Sequence, residues 1–282
     1  MMMHSRFYQI RLVLEEYSPS GKWQSWIFEF LLFGFKQAWA CLFGGLLLGL
    51  ILLTYFLYPE NIPIARYDFL VVMAVAIQIS LILFRLETIA EARIILIFHI
   101  VGTVMEIFKT AHGSWVYPEN GYLKIMNVPL FSGFMYAAVG SYIARIWRIF
   151  NMRFSHYPSM AITYIIAMLI YINFFTHHYF YDVRYFLFAV IIFIYLKCFV
   201  YFKVLREYRK MPLLLGLLLV ALFIWFAENI ATFAGAWAYP NQTKIWQMVS
   251  IDKLGAWFLL MYISFILVSI IQKPSPPQIY AE

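Results

Sequence analysis

Charge is scarce in this sequence. Asp, Glu, Lys and Arg make up 12% of its 282 residues, against about 25% in a typical globular chain, which excludes an ordinary soluble protein. Cysteine is nearly absent: Cys41 and Cys198 both fall inside apolar runs. A disulfide framework or metal knuckle is therefore excluded, and two thiols packed as small hydrophobes are expected. A glycine-rich phosphate loop, a zincin helix and a hydrolase nucleophile elbow are also lacking, which argues against nucleotide-driven pumping and common hydrolase chemistry. No short basic region followed by an apolar core opens the chain. The first long apolar run begins near Ala38, so the first span is expected to act as its own insertion signal.

Apolar side chains are what the sequence has instead, at 64% of residues. Uncharged runs of about 20 residues recur, the length a helix needs to cross a bilayer. The expected fold is an all-α polytopic membrane protein of about eight transmembrane helices. The spans fall near 38–57, 66–84, 92–109, 128–146, 159–176, 183–203, 212–232 and 254–272. Residues 1–37 precede them as an interfacial segment. Arg6 and Arg11 alternate there with apolar residues, and Trp23, Trp26, Phe30 and Phe33 follow at helical spacing, a pattern suited to the headgroup region.

With the N-terminus inside, fourteen of the 21 Lys and Arg residues fall on cytoplasmic segments and six on the opposite side. That bias predicts cytoplasmic termini. It also accounts for the net charge of +7 through topology and anionic lipid, with no nucleic-acid partner.

One stretch occurs twice. Residues 106–118 read EIFKTAHGSWVYP and residues 228–240 read ENIATFAGAWAYP. Glu, Thr, Gly, Trp, Tyr and Pro recur in register at an offset of 122 residues, and Gly133 and Gly255 keep that offset. We read an internal duplication. Residues 38–150 form one membrane repeat of four helices and 151–272 a second, with a cytoplasmic tail at 273–282. An even number of crossings per half makes the repeats parallel and puts both motifs on the extracytoplasmic face.

Glu106, Thr110 and Gly113 share a helical stripe, as do Glu228, Thr232 and Gly235, while His99 and Thr103 extend the first stripe inward. A carboxyl group inside a bilayer is costly when ionised and turns to the bundle interior. There a neutral acid can donate a hydrogen bond or deliver a proton. Gly suits a left-handed helix cap, and Trp and Tyr suit the interface. A plain interfacial helix end explains the aromatics and Gly but not an acid in both halves. His112, His177, His178, Asp182, Glu60 and Glu119 match no metal-ligand spacing, so no metal site is expected.

The doubled E-x3-T-x2-G-x-W-x-Y-P motif resembles that of bacterial multipass membrane proteins of domain-of-unknown-function family 817, from about Trp39 to Ser269. The resemblance implies a bacterial inner-membrane protein and no assigned activity. The acid followed by G-x-W-x-Y is also similar to motifs of integral-membrane carotenoid cyclases and hydratases, which use acids against polyene double bonds.

Three functions stay open from the sequence. The first is a cofactor-independent enzyme acting on a polyprenyl, carotenoid-like or other lipid-soluble substrate. Glu106 and Glu228 would be its catalytic acid and base, with Thr110 and Thr232 orienting them. Trp115, Tyr117, Asn229, Trp237 and Tyr239 would contact substrate, and His99 would be accessory. The second is a proton-coupled transporter or channel, and the third a structural membrane protein.

Overall fold

A computed structural model describes residues 21–59 and 61–277. The expectation for Arg6 and Arg11, and Glu60, lie outside the described residues. The helices are α1 Lys22–Ala40, α2 Leu42–Leu57, α3 Arg66–Leu83, α4 Ile89–Ala111, α5 Phe131–Ile149, α6 Met160–Thr176, α7 Arg184–Tyr195, α8 Leu213–Phe233 and α9 Asp252–Ile271. Four of them, α3, α4, α8 and α9, are long and apolar enough to cross a membrane. A fifth span arises if α1 and α2, bent by 70° at Cys41, count as one. The helix expected to start at residue 38 therefore starts at Leu42, and residues 38–40 finish α1. Trp23, Trp26, Ile27, Phe30, Leu31 and Phe35 on α1 are exposed.

The fold is mostly helical, but it is not all-α. Lys124–Ile125 (β1) and Val128–Pro129 (β2) make a two-stranded antiparallel ladder. Arg153–Ser155 (β3), Phe199–Lys203 (β4) and Tyr208–Pro212 (β5) make an antiparallel sheet in the order β3-β4-β5. This corrects the span expected at 183–203, whose helix stops at Tyr195. Apolarity alone does not separate a helix from a buried strand. Here the aromatic and β-branched run Phe199–Val200–Tyr201–Phe202 pairs on both edges, and the Leu213 N–H donates to the Cys198 carbonyl at 3.0 Å.

Caps and side-chain size set the central helices. Thr88 and Glu91 form a reciprocal capping box at the start of α4, satisfying two otherwise orphaned donors. At the far ends of α4 and α8, Gly113 and Gly235 adopt φ of +67° and +66°. Ser114 N–H then reaches Lys109 O, and Ala236 N–H reaches Ala231 O, each at 3.0 Å. This is the same left-handed cap twice, available to Gly without a Cβ penalty. Helices α4 and α5 pack most closely. A Cβ on Gly102 would lie 2.6 Å from Tyr136, one on Gly133 would lie 2.5 Å from His99 Nδ1, and one on Gly140 would lie 2.6 Å from Phe98. Among the α2 glycines a Cβ on Gly44 would lie 3.3 Å from Ala138, whereas one on Gly45 or Gly49 would meet nothing within 4 Å.

The bundle has two distinct ends. At the sheet end, Arg148 pairs with Glu91 at 3.0 Å. The fully buried Arg145 lies 3.8 Å from Glu87, and Lys36 donates to Val204 O. At the motif end, Arg66 donates to Ala234 O at 2.7 Å and Tyr67 to Ala236 O at 3.0 Å. Asp68 accepts from the Tyr122 and Leu123 amides at 2.9 and 2.7 Å. The Asp68 bonds pin the 112–130 loop to α3, and the Arg66 and Tyr67 bonds tie α3 to the 234–236 turn of the second half.

Candidate functional site

The site is built at the motif end, where α4 and α8 stop. Glu106 and Glu228 stand on those helices, buried at 5% and 3% exposure. Each glycine cap reverses the chain direction and returns the tyrosine eleven positions after the acid towards it, and in the first half the tryptophan nine positions after it as well. Trp115 Nε1 and Tyr117 O–H donate to Glu106 Oε2 at 2.7 and 2.6 Å. Tyr136 O–H, from α5, donates to Oε1 at 2.8 Å. All three donate to the Glu106 carboxyl group, and both of its oxygens are used.

Glu228 has a related cage of two donors instead of three: the tryptophan comes from a different position, and Phe258 stands at the repeat counterpart of Tyr136. Tyr239 O–H donates to Oε1, as Tyr117 O–H donates to Oε2 of Glu106 in the first half. Trp257 Nε1, from α9, donates to Oε2 at 2.6 Å. Trp237, the counterpart of Trp115, instead packs in an apolar cluster with Ile51, Tyr67 and Phe131.

The two cages touch. Val116 and Ala238 exchange N–H···O bonds of 2.9 Å in both directions. The Trp115 and Tyr239 rings meet edge to face at 6.1 Å between centroids. A continuous path therefore runs from Glu106 through Trp115 and Tyr239 to Glu228. Lys253, in the first turn of α9, lies with Nζ 4.4 Å from the Tyr239 ring centroid and 5.8 Å from that of Trp115. Burial and the adjoining Glu106 carboxylate push the Tyr117 phenol well above its ordinary value, so Tyr117 stays a donor at neutral pH.

Several expected roles change. Thr110 Oγ1 is buried with no hydrogen-bond partner. Thr232 Oγ1 donates to Asn229 O and accepts from Trp246 Nε1, each at 3.2 Å. Neither orients an acid, because helical side chains lean towards the N-terminus and carry each carboxylate away from a Thr one turn later. Asn229 is a loop anchor: its amide donates to Trp225 O at 2.8 Å and accepts from Val249 N–H at 2.9 Å. His99 makes no bond to Glu106. Its Nδ1 is buried without a partner and its ring lies 4.4 Å from Phe134.

Tyr136, Trp257 and Lys253 are site residues that sequence reasoning missed. A signal was present for the first two: Tyr136 follows Gly133 by three residues and Trp257 follows Gly255 by two, and those glycines share the 122-residue offset.

A second cluster adjoins. Lys109 Nζ, buried, lies 3.4 Å from His177 Nε2 and 2.9 Å from His178 Nε2, and 4.1 Å from the Phe174 ring centroid. His112 stacks on His178 at 4.9 Å. Partial desolvation against its neighbours, followed by the Lys109 charge, holds the largely exposed His178 down at about 4.

Four apolar helices of spanning length among the described residues, beside a buried, aromatic-caged acid pair, are compatible with a helical membrane protein. The chain matches the family described as "Protein of unknown function (DUF817)" over residues 29–265, and it belongs to that family. It is 41% identical over 241 residues to "Uncharacterized protein YoaT" of Bacillus subtilis (strain 168), covering 86% of this chain and 90% of the relative. No solved structure matches it.

Proposed function

We propose that the protein is a polytopic membrane enzyme that transfers protons to and from a lipid-soluble substrate without a cofactor, using Glu106 and Glu228 as one site. The observation that carries this reading is the continuous cage: two buried acids, each held by Trp and Tyr donors, joined by the Trp115–Tyr239 contact. With one proton on the pair, the protonated acid is the donor and the ionised one the acceptor. Trp115, Tyr117, Tyr136, Tyr239 and Trp257 fix the carboxylates in a dry setting, where charge developing on substrate is strongly felt.

The proposed frame is eight crossings in two parallel four-helix repeats, with cytoplasmic termini and both motif loops extracytoplasmic. Matched glycine caps and the reciprocal Val116–Ala238 pairing, which joins residues exactly one repeat offset apart, support a two-fold relation between the halves. The basic residues support the orientation. Against a count of eight stand the 17 residues of α6 and the 12 of α7. Tilting or local thinning of the bilayer accommodates such short segments.

The test is mass spectrometry of lipid extracts from cells that lack the protein or carry wild-type, Glu106→Gln or Glu228→Gln forms. Wild type is expected to change a lipid species, and both variants to match the deletion. An identical profile in all four strains overturns the reading. Proton-coupled transport is the second reading, favoured by His99 and Thr103, which continue the polar stripe inward from Glu106. Proton uptake into proteoliposomes that disappears in Glu106→Gln would select it.

A further inference from the structure

We infer that the acid–aromatic cage recognises an ammonium group, and that Lys253 is its internal occupant in the absence of such a ligand. The inference rests on the same site as the proposed function and names the chemistry of what it accepts.

Cation recognition by proteins combines aromatic faces with nearby carboxylate charge. Both are present. The N–H and O–H edges of Trp115 and Tyr239 are turned to Glu106 and Glu228, which leaves ring faces available. Lys253 Nζ lies over those two faces, at 5.8 and 4.4 Å, within electrostatic reach of Glu228. The neighbouring cations are engaged elsewhere: Arg184 binds Asp182 at 2.6 Å, and Lys109 is turned to His177 and His178. Lys253 is therefore the ammonium that faces Glu228 across the Tyr239 and Trp115 rings.

Lys253 is tethered so that it can be displaced. It sits in the first turn of α9, beside an exposed Asp252 and Ile251 and after the largely exposed 243–248 segment, and forms no salt bridge within 4.0 Å among the described residues. Its side chain is a flexible four-carbon stem ending in a compact charge. When that stem swings outward, a ligand ammonium of like charge takes its place over the rings. The ligand is an amine or quaternary ammonium compound, either free or as a lipid headgroup.

The experiment uses the full chain in nanodiscs of anionic phosphatidylglycerol, with tetramethylammonium as probe and tert-butanol as its neutral counterpart. Acetylation of Lys253 by an amine-reactive reagent is read by peptide mass spectrometry. Displacement predicts a several-fold rise in Lys253 acetylation with tetramethylammonium and none with tert-butanol. A parallel sample with phosphatidylcholine and no added probe separates the sources: a rise there assigns the ammonium to a lipid headgroup, and its absence to a soluble amine. Lys253→Met, which keeps the stem and removes the charge, is expected to gain thermal stability from tetramethylammonium beyond any gain in wild type. Acetylation that tetramethylammonium leaves unchanged, or that tert-butanol raises equally, overturns the inference even if Lys253→Met does not fold. Lipid changes lost in Glu106→Gln with no cation effect would leave the acid/base reading standing and remove this one.

Discussion

At Glu106 three donors converge on two oxygens, and this makes the effects of substitution specific. In Glu106→Gln an amide nitrogen replaces one acceptor, so one donor hydrogen of Trp115, Tyr117 or Tyr136 loses its acceptor even if a tyrosine hydroxyl turns to accept from the amide. A buried unsatisfied donor costs about 1–3 kcal/mol, and thermal unfolding should shift down accordingly. Thr110→Val is the informative contrast. Its hydroxyl is buried and unpartnered, so the variant is expected to unfold at or above the wild-type temperature. A large loss there would mean that Thr110 holds a partner after all.

His178 supplies a pH dependence at the same scale. Its pKa is lowered from 6.5 to about 4, so between those values the unfolded chain binds a proton that the folded chain does not. Stability from this group is complete above pH 6.5 and is lost as the pH falls towards 4. Because His178 is exposed, the effect is small. Unfolding temperature should decline across that window in wild type and decline less in His178→Gln. Parallel curves would contradict the assignment.

At the scale of elements, the glycines between α4 and α5 set how near Tyr136 comes to Glu106. Gly133→Ala would press a methyl group to 2.5 Å from both His99 Nδ1 and Thr103 Oγ1. Overpacking of this kind costs about 1–3 kcal/mol. Gly45→Ala, with open space around it, is expected to be neutral by the same unfolding measurement. Helix existence was legible in the sequence because runs of apolar residues leave few other choices. The β4–β5 hairpin was not, since Phe199–Lys203 continues the apolar run of α7 and only pairing with Tyr208–Pro212 and Arg153–Ser155 decides for strand. The two acids were legible as a pair through their offset. Their donors were less so: Tyr117 and Tyr239 keep equivalent roles, while Trp257 replaces Trp237 from another helix, which no one-dimensional pattern records.

For the whole molecule, the site depends on the two halves meeting. Arg66 and Tyr67 bind the Ala234–Ala236 turn, and Val116 pairs with Ala238. The halves are nonetheless unequal: His99 and Thr103 correspond to Ala221 and Trp225 at the repeat offset. The cage is therefore shared, whereas the polar stripe leading inward belongs to the first half alone. The central claim is that both motifs form one site on the outer face. Its most direct test is Val116→Cys/Ala238→Cys in a background where Cys41 is Ser, probed in intact cells. Hydrogen-bonded antiparallel partners lie about 5.5 Å apart at Cα, within disulfide range. The account predicts an intramolecular disulfide on oxidation and, before oxidation, labelling of both cysteines by a membrane-impermeant maleimide. Failure to cross-link, or labelling only after the cells are permeabilised, would contradict it.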